Sequence, residues 1–329
     1  MADIRIECRQ YGGRYARLNG ERTCNVSKYA FLRAILTVGA QRLPDVFSGG
    51  LRHIMNRIGI WLSIASFLEW RASGVCLSAR YGDLDMSEKG YISYWYGMAL
   101  AKLVAESELS IPWLGNVDKM KASGALITSS TSNERADLVG RGLHNDWHVI
   151  EAKGRSNEYS RSLVVEAKNQ AASVISVNGQ SPATTSACIA SLFTQPISVL
   201  LDDPTGNSNQ VPGRWKIKDD EFFVDYYHGI IQYLRKATLS GEPKDIHSGF
   251  VSAKLFQREF FKLPYPSRWD VPLWSDDLEL GLLKNIYSDP KKAADAVKDL
   301  PSDDYKGAIG KDGIAIFGPI LDWEEPNVF

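Results

Sequence analysis

Between residues 125 and 201, short apolar runs and one amphipathic stretch follow one another in an order that few folds can accept. Ala125–Thr128, Ala136–Val139 and Trp147–Ala152 are apolar runs separated by polar turns, the texture of consecutive strands. Arg161–Val177 then returns to helical spacing, with Leu163, Val164, Ala167, Ala171, Val174 and Ile175 on one stripe, and Asn178-Gly179 reads as its C-cap. Ala187–Phe193 and Ile197–Leu201 are strand-like again and stop at Asp202-Asp203-Pro204. Strands, a helix and further strands describe an α/β layer around one mixed sheet.

The flanks read differently. Residues 1–85 look mainly helical, with apolar periodicity through Tyr29–Leu36 and Leu51–Trp70 broken at Ser48-Gly49-Gly50. A helix signalled from Ser87 as N-cap, running through Tyr91, Tyr94, Met98, Ala101 and Val104 and ending before Pro112, opens a central part spanning 86–205. The polar, Gly- and Pro-bearing stretch Gly206–Gly213 reads as a boundary loop. Residues 206–329 read as mainly helical, through Phe222–Leu234 and Pro290–Leu300, with a terminal strand Ile314–Phe317 entered at the turn Asp312-Gly313.

A hydrophobic fraction of 44% over 329 residues supplies a full core, so disorder is not the expectation. The formal charge of −1 excludes a chain-wide basic field, so any nucleic-acid contact has to come from a local surface. Cys8, Cys24, Cys76 and Cys188 show no CxxC pair or regular spacing and read as reduced thiols of a cytosolic protein. The charged start, Met1–Gln10, lacks the apolar region of a secretory signal, and Ile58–Phe67 is too short to cross a membrane and reads as a buried helix.

The chemistry is concentrated in Glu134-Arg-Ala-Asp-Leu-Val-Gly140 and Trp147-His-Val-Ile-Glu-Ala-Lys-Gly-Arg155. Side chains alternate along a strand, so Glu151 and Lys153 share one face while Ile150 and Ala152 point to the other. With Asp137 on a neighbouring strand, its carboxylate approaches Glu151 across the sheet. Two close carboxylates repel unless a cation joins them, and oxygen ligands with room for water suit Mg²⁺ or Mn²⁺. Lys153 is then placed to stabilise charge on a reacting phosphate.

An Asp on one strand, Glu-x-Lys on the next and a following helix resembles the PD-(D/E)xK nuclease superfamily over roughly residues 90–205. The resemblance implies a restriction-endonuclease-like core with a central mixed β-sheet flanked by helices. It assigns Asp137 and Glu151 to the metal, Lys153 to its Glu-x-Lys position, and Gln170 to the glutamine often found in the following helix. It further implies Mg²⁺-dependent hydrolysis of DNA, with RNA not excluded, in roles such as defence against phage or mobile DNA. The assembly is left open between a homodimer and a partner subunit of a larger complex. Ala136 stands where the family's nominal proline would be, and Glu106 is the nearest candidate for a further acidic residue on the upstream helix.

Arg135, Arg141, Arg155 and Arg161 surround this centre as candidate phosphate contacts, although Glu134, Asp146 and Glu158 are interleaved and describe a mixed-charge surface equally well. Tyr91, Tyr94, Trp95 and Tyr96 offer either stacking for bases or ordinary core packing. Glu166-Ala-Lys168 repeats the site tripeptide. On a helix these two side chains lie about 200° apart and cannot face one ion, whereas on a hairpin strand they would replace Glu151 and Lys153. His144 and His148 have zinc-like spacing but no third ligand. Neither a GxxxxGK[ST] loop nor a GxSxG elbow is present, and Gly307, Gly310 and Gly313 lack the strand and helix of a dinucleotide fingerprint. The rival reading is a non-catalytic subunit that keeps the fold and binds nucleic acid or a partner.

Overall fold

The computed structural model describes residues 1–39, 49–129, 136–203, 212–239, 251–255, 258–263, 279–298, 300 and 309–317. The expectations for Glu134, Arg135, Ser48, Gly307 and most of the 206–213 loop lie outside the described residues.

At the centre is a seven-stranded sheet of β1 (Ala2–Arg9), β2 (Gly20–Val26), β3 (Trp113–Asn116), β4 (Leu138–Arg141), β5 (Trp147–Arg155), β6 (Thr184–Ser191) and β7 (Ser198–Asp202). The spatial order is β2-β1-β7-β6-β5-β4-β3. The pairs β1/β7 and β5/β6 are parallel and the remaining pairs antiparallel, so the sheet is mixed and the chain is of the α/β class. Around it lie α1 (Lys28–Thr37), α2 (Gly49–Ala65), α3 (Met86–Glu108), α4 (Arg161–Ala172) and α5 (Asp219–Leu239). Between the parallel strands β5 and β6 the chain passes through α4, because parallel neighbours require a crossover.

The expected helical N-terminal part is corrected. In β1, buried Ala2, Ile4, Ile6 and Cys8 alternate with Asp3, Arg5, Glu7 and Arg9, a period of two that only a strand satisfies. That strand lies between β2 and β7, inside the same sheet as the central part. The helix expected over Leu51–Trp70 stops at Ala65, and Leu68–Arg71 pairs with Gly74–Leu77 as a hairpin. The third correction concerns Arg161–Val177. The helix ends at Ala172, and Val174–Val177 is a strand paired with Gly213–Ile217. Asn178 and Gly179 both take positive φ, and Val177 and Gln180 exchange backbone hydrogen bonds around them. Asn-Gly is therefore the two-residue turn of a strand end and not a helix cap. The C-terminal part is also less helical than expected: Val251–Leu255, Arg258–Leu263, Glu279–Leu283 and Ile314–Phe317 form a four-stranded sheet.

Helix α3 is capped by Asp85, whose carboxylate accepts from the Ser87 and Glu88 N–H groups while Glu88 reaches back to the Asp85 N–H, a capping box two residues ahead of the expected Ser87 cap. It packs on one face of the sheet with α1, burying Phe31, Ile35, Tyr96, Leu100 and Val104 against Ile4, Ile6, Ile150, Ala152 and Cys188. Its approach to β5 is backbone to backbone. A Cβ at Gly154 would fall 1.7 Å from the Ser93 carbonyl oxygen, and one at Gly97 2.5 Å from the Gly154 nitrogen, so two glycines allow the helix to lie directly on the strand that carries Glu151 and Lys153.

A buried ionic network joins this helix to the C-terminal sheet. Lys102 Nζ lies 3.1 Å from Asp312 Oδ2 and 3.3 Å from Glu106 Oε2, and Arg33 Nη1 lies 2.9 Å from Glu106 Oε2. The Tyr226 hydroxyl on α5 donates to Asp312 at 2.9 Å, and the Lys311 N–H donates to Glu106 at 2.7 Å. Glu106 is therefore committed to structure, which corrects its candidacy as a further acidic site residue. All four cysteines are free thiols, and among the described residues no helix is long and apolar enough to cross a membrane.

Candidate active site

Leu138 and Ile150 are partners in the antiparallel β4/β5 ladder, so Asp137, one residue earlier, comes opposite Glu151, one residue later. The backbone fixes both side chains. The Asp137 N–H donates to Glu151 Oε2 at 3.1 Å, and the Ala152 N–H donates to Asp137 Oδ2 at 3.1 Å. Lys153 Nζ sits 2.5 Å from Glu151 Oε1, on the same face, with its side chain 23% exposed against 2% for that of Glu151. The three residues singled out in the sequence are thus brought together. Asp137 stands at the entrance of its strand, where β4 begins, and not at its exit.

Burial, and after it the charge of Asp137, push the Glu151 carboxyl up to about 8 against the pull of Lys153. The Asp137 carboxyl is also raised, burial outweighing its bond from Ala152 and the charge of Lys153. At neutral pH the pair therefore retains a proton, as two carboxyls that cannot both ionise cheaply must. A hard divalent cation would replace that proton. Among the described residues there is no group of three or more His, Cys, Asp or Glu side chains arranged for a metal. Two carboxylates alone fit Mg²⁺ or Mn²⁺, which complete their shell with water and substrate oxygens, better than zinc.

The second Glu-Ala-Lys lies on α4 and not on a hairpin: Glu166 is exposed, and Lys168 reaches the other way to Asp202 (2.9 Å) and Gln10 (2.5 Å). Ala167 of the same helix packs on Ala187 and Ile189, which are the β6 neighbours of Glu151 and Lys153. Gln170, about 200° around α4 from Lys168, has a buried Oε1 without a hydrogen-bond partner and makes no hydrogen bond to the carboxylates.

Of the arginines, Arg141 is buried at the far end of the β4/β5 hairpin from Asp137 and Glu151, bonded to Asn145 and lying over the Trp147 ring at 4.5 Å. Arg155 is exposed at the end of β5, two residues past Lys153, and Arg161 is exposed at the start of α4. His148 is buried with Nδ1 2.9 Å from Thr184 Oγ1. Burial, reinforced by Arg14, holds its pKa at about 3, so it is a neutral core residue, while His144 lies exposed in the turn.

Three residues of this neighbourhood, Asp118, Lys119 and Arg57, carry no signal in the sequence pattern, whereas Tyr94 is one of the aromatics read from the sequence as stacking or core residues. The short helix Val117–Ser123 after β3 is tied to β4 by the Val117 N–H donating to the Asp137 carbonyl at 3.0 Å, and it brings Asp118 within electrostatic reach of the Asp137 carboxyl. Lys119 follows on that helix. Tyr94 on α3 feels both Asp137 and Arg57, the latter from α2. Only the pairing of β3 with β4 and the crossing of α3 over β5 bring these groups in. Comparison with family models, curated proteins and solved structures found no match in any of the three.

Proposed function

We propose that the chain is a divalent-metal-dependent nuclease of the PD-(D/E)xK type, with a restriction-endonuclease-like core, that hydrolyses DNA phosphodiesters. The observation that carries the reading is the cross-strand pair Asp137 and Glu151, each fixed by a bond from the other strand's backbone and flanked by Lys153. Asp137 and Glu151 would hold Mg²⁺, which when bound polarises a phosphoryl oxygen and activates a water. Lys153 is 2.5 Å from Glu151 in the free protein. With a cation held by the two carboxylates, the Lys153 ammonium would be placed to stabilise charge on the phosphate. Arg155 adds a salt-sensitive contact to the substrate backbone, and Gln170, with its unpartnered oxygen, is the residue of α4 with bonding capacity to spare.

The test is cleavage of supercoiled plasmid by the purified full chain. Nicked product is expected with Mg²⁺ or Mn²⁺ and none after chelation. Cleavage that persists in chelator, or its absence at every divalent concentration, removes the assignment.

A further inference from the structure

Helix α3 carries four aromatic residues in six positions, and the fold treats them differently. Tyr96 is fully buried and its hydroxyl donates to the Ile64 carbonyl at 2.5 Å. Trp95 is half-buried against the core. Tyr91 and Tyr94, one helical turn apart, remain 48% and 46% exposed. They flank Ser93, whose carbonyl rests on Gly154 on the face of the sheet opposite Glu151 and Lys153, and Tyr94 lies within electrostatic reach of the Asp137 carboxyl at the strand's edge.

Two cations that form no ion pair lie close by, Arg57 within electrostatic reach of both tyrosines and Lys119 within reach of Arg57, while the Asp137 and Asp118 carboxylates also act on Tyr94. Arg57 is only 3% exposed, with its guanidinium 4.5 Å from the Trp95 ring and one bond, Nη2 to the Val38 carbonyl at 3.0 Å. Its Nη1 has no hydrogen-bond partner. Lys119 Nζ has a backbone carbonyl, that of Gly39 at 3.3 Å, as its partner. Neither cation forms an ion pair among the described residues. Burial lowers both, Lys119 to about 7, with Arg57 adding to the effect there. A buried cation without an anion, as Arg57 is, costs free energy that a phosphate would recover, and the half-buried Lys119 adds to the same field. Aromatic faces next to such charge are what unpaired bases and their backbone require, whereas the stacked bases of an intact duplex offer no face to a ring.

We propose that Tyr91 and Tyr94, backed by Arg57 and Lys119, form a platform for unpaired nucleotides beside the carboxylate pair, so that the preferred substrate is single-stranded or frayed DNA. The inference rests on the nuclease reading and narrows its substrate.

The test is fluorescence anisotropy in chelator with a short labelled oligodeoxynucleotide, single-stranded or as a blunt duplex, alongside cleavage of both in Mn²⁺. Wild type is expected to bind the single strand more tightly. Tyr91→Ala with Tyr94→Ala is expected to lower that affinity about tenfold or more, the loss typical of a removed stacking partner, with the melting temperature unchanged. Tyr91→Phe with Tyr94→Phe keeps the ring faces and retains most of the affinity. Lys119→Ala is expected to weaken binding and to flatten its salt dependence by about 0.7 in the log–log slope. Equal single-strand affinity in the double alanine variant, preference for the blunt duplex, or no binding of either probe overturns the platform. If the tyrosines are needed for binding but nothing is cut in Mn²⁺, the platform stands and the nuclease reading falls. If the double alanine variant cuts single strands as fast as wild type, the nuclease reading stands and the platform falls.

Discussion

Glu151→Gln is expected to lower metal-dependent cleavage by a factor of about 100 or more, the scale of a lost electrostatic contribution, in a protein that remains folded. The amide keeps the shape of the side chain but cannot supply the charge that a divalent cation needs. It also removes a destabilising ionisation. The Glu151 carboxyl is raised from 4.5 to about 8 by burial and by Asp137. A raised carboxyl contributes stability that is complete below its ordinary value and is lost as pH rises through the folded value. Without metal, wild type should therefore lose stability relative to the Gln variant between pH of about 4.5 and about 8, as the raised folded value requires. Thermal melts in chelator at the two ends of that window should show the variant gaining on wild type towards the alkaline end. Plasmid cleavage read on gels supplies the other half, and activity within a few-fold of wild type would remove Glu151 from the site.

Asp312→Ala is expected to destabilise the protein by about 3–5 kcal/mol, the usual cost of leaving buried charge without its partner. Asp312 has no exposed surface and answers Lys102, itself fully buried, together with the more distant Arg33 at 3.7 Å. Without it, two buried cations face Glu106 alone. Burial by itself would raise the Glu106 carboxyl, but Arg33 and Lys102 hold it at about 2. A lowered carboxyl contributes stability above its ordinary value and loses it as pH falls through the folded one, so acid unfolding in wild type should draw on this network below pH of about 4.5. Chemical denaturation with Lys102→Met and Asp312→Leu, each alone and the two combined, checks the coupling. The double variant should be markedly more stable than the sum of the single losses, because no charge is left unanswered. Simple additivity would show that the four side chains are not one unit.

Glu151 and Lys153 were legible in sequence because strand alternation is a local rule: with Ile150 and Ala152 committed to the core, the intervening pair had to share the other face. Asp137 was legible for the same reason once β4 and β5 are taken as neighbours. The same rule was available for Ala2, Ile4, Ile6 and Cys8, and the helical reading of the N-terminal part overlooked it. Val174–Val177 misled because Val and Ile after a helix extend its stripe on paper, while their β-branched side chains favour a strand and Asn-Gly supplies its turn. Asp118, Arg57 and Lys119 were out of reach for another reason. Their place around Asp137 and Tyr94 depends on a four-residue strand after Pro112 and on a helix crossing set by Gly97 and Gly154, both of which are tertiary facts. Arg141 shows the converse: a basic residue near the motif in sequence is buried over Trp147, a destination that charge alone does not indicate.

Crystals of the wild-type chain soaked in Mn²⁺ and measured at a wavelength where manganese scatters anomalously put the question directly to the carboxylates. One anomalous peak in contact with an Asp137 and a Glu151 oxygen, absent from Asp137→Asn crystals treated in the same way, is the expected result. A fully soaked crystal with no peak between those two side chains would contradict the assignment of this pair as a metal centre.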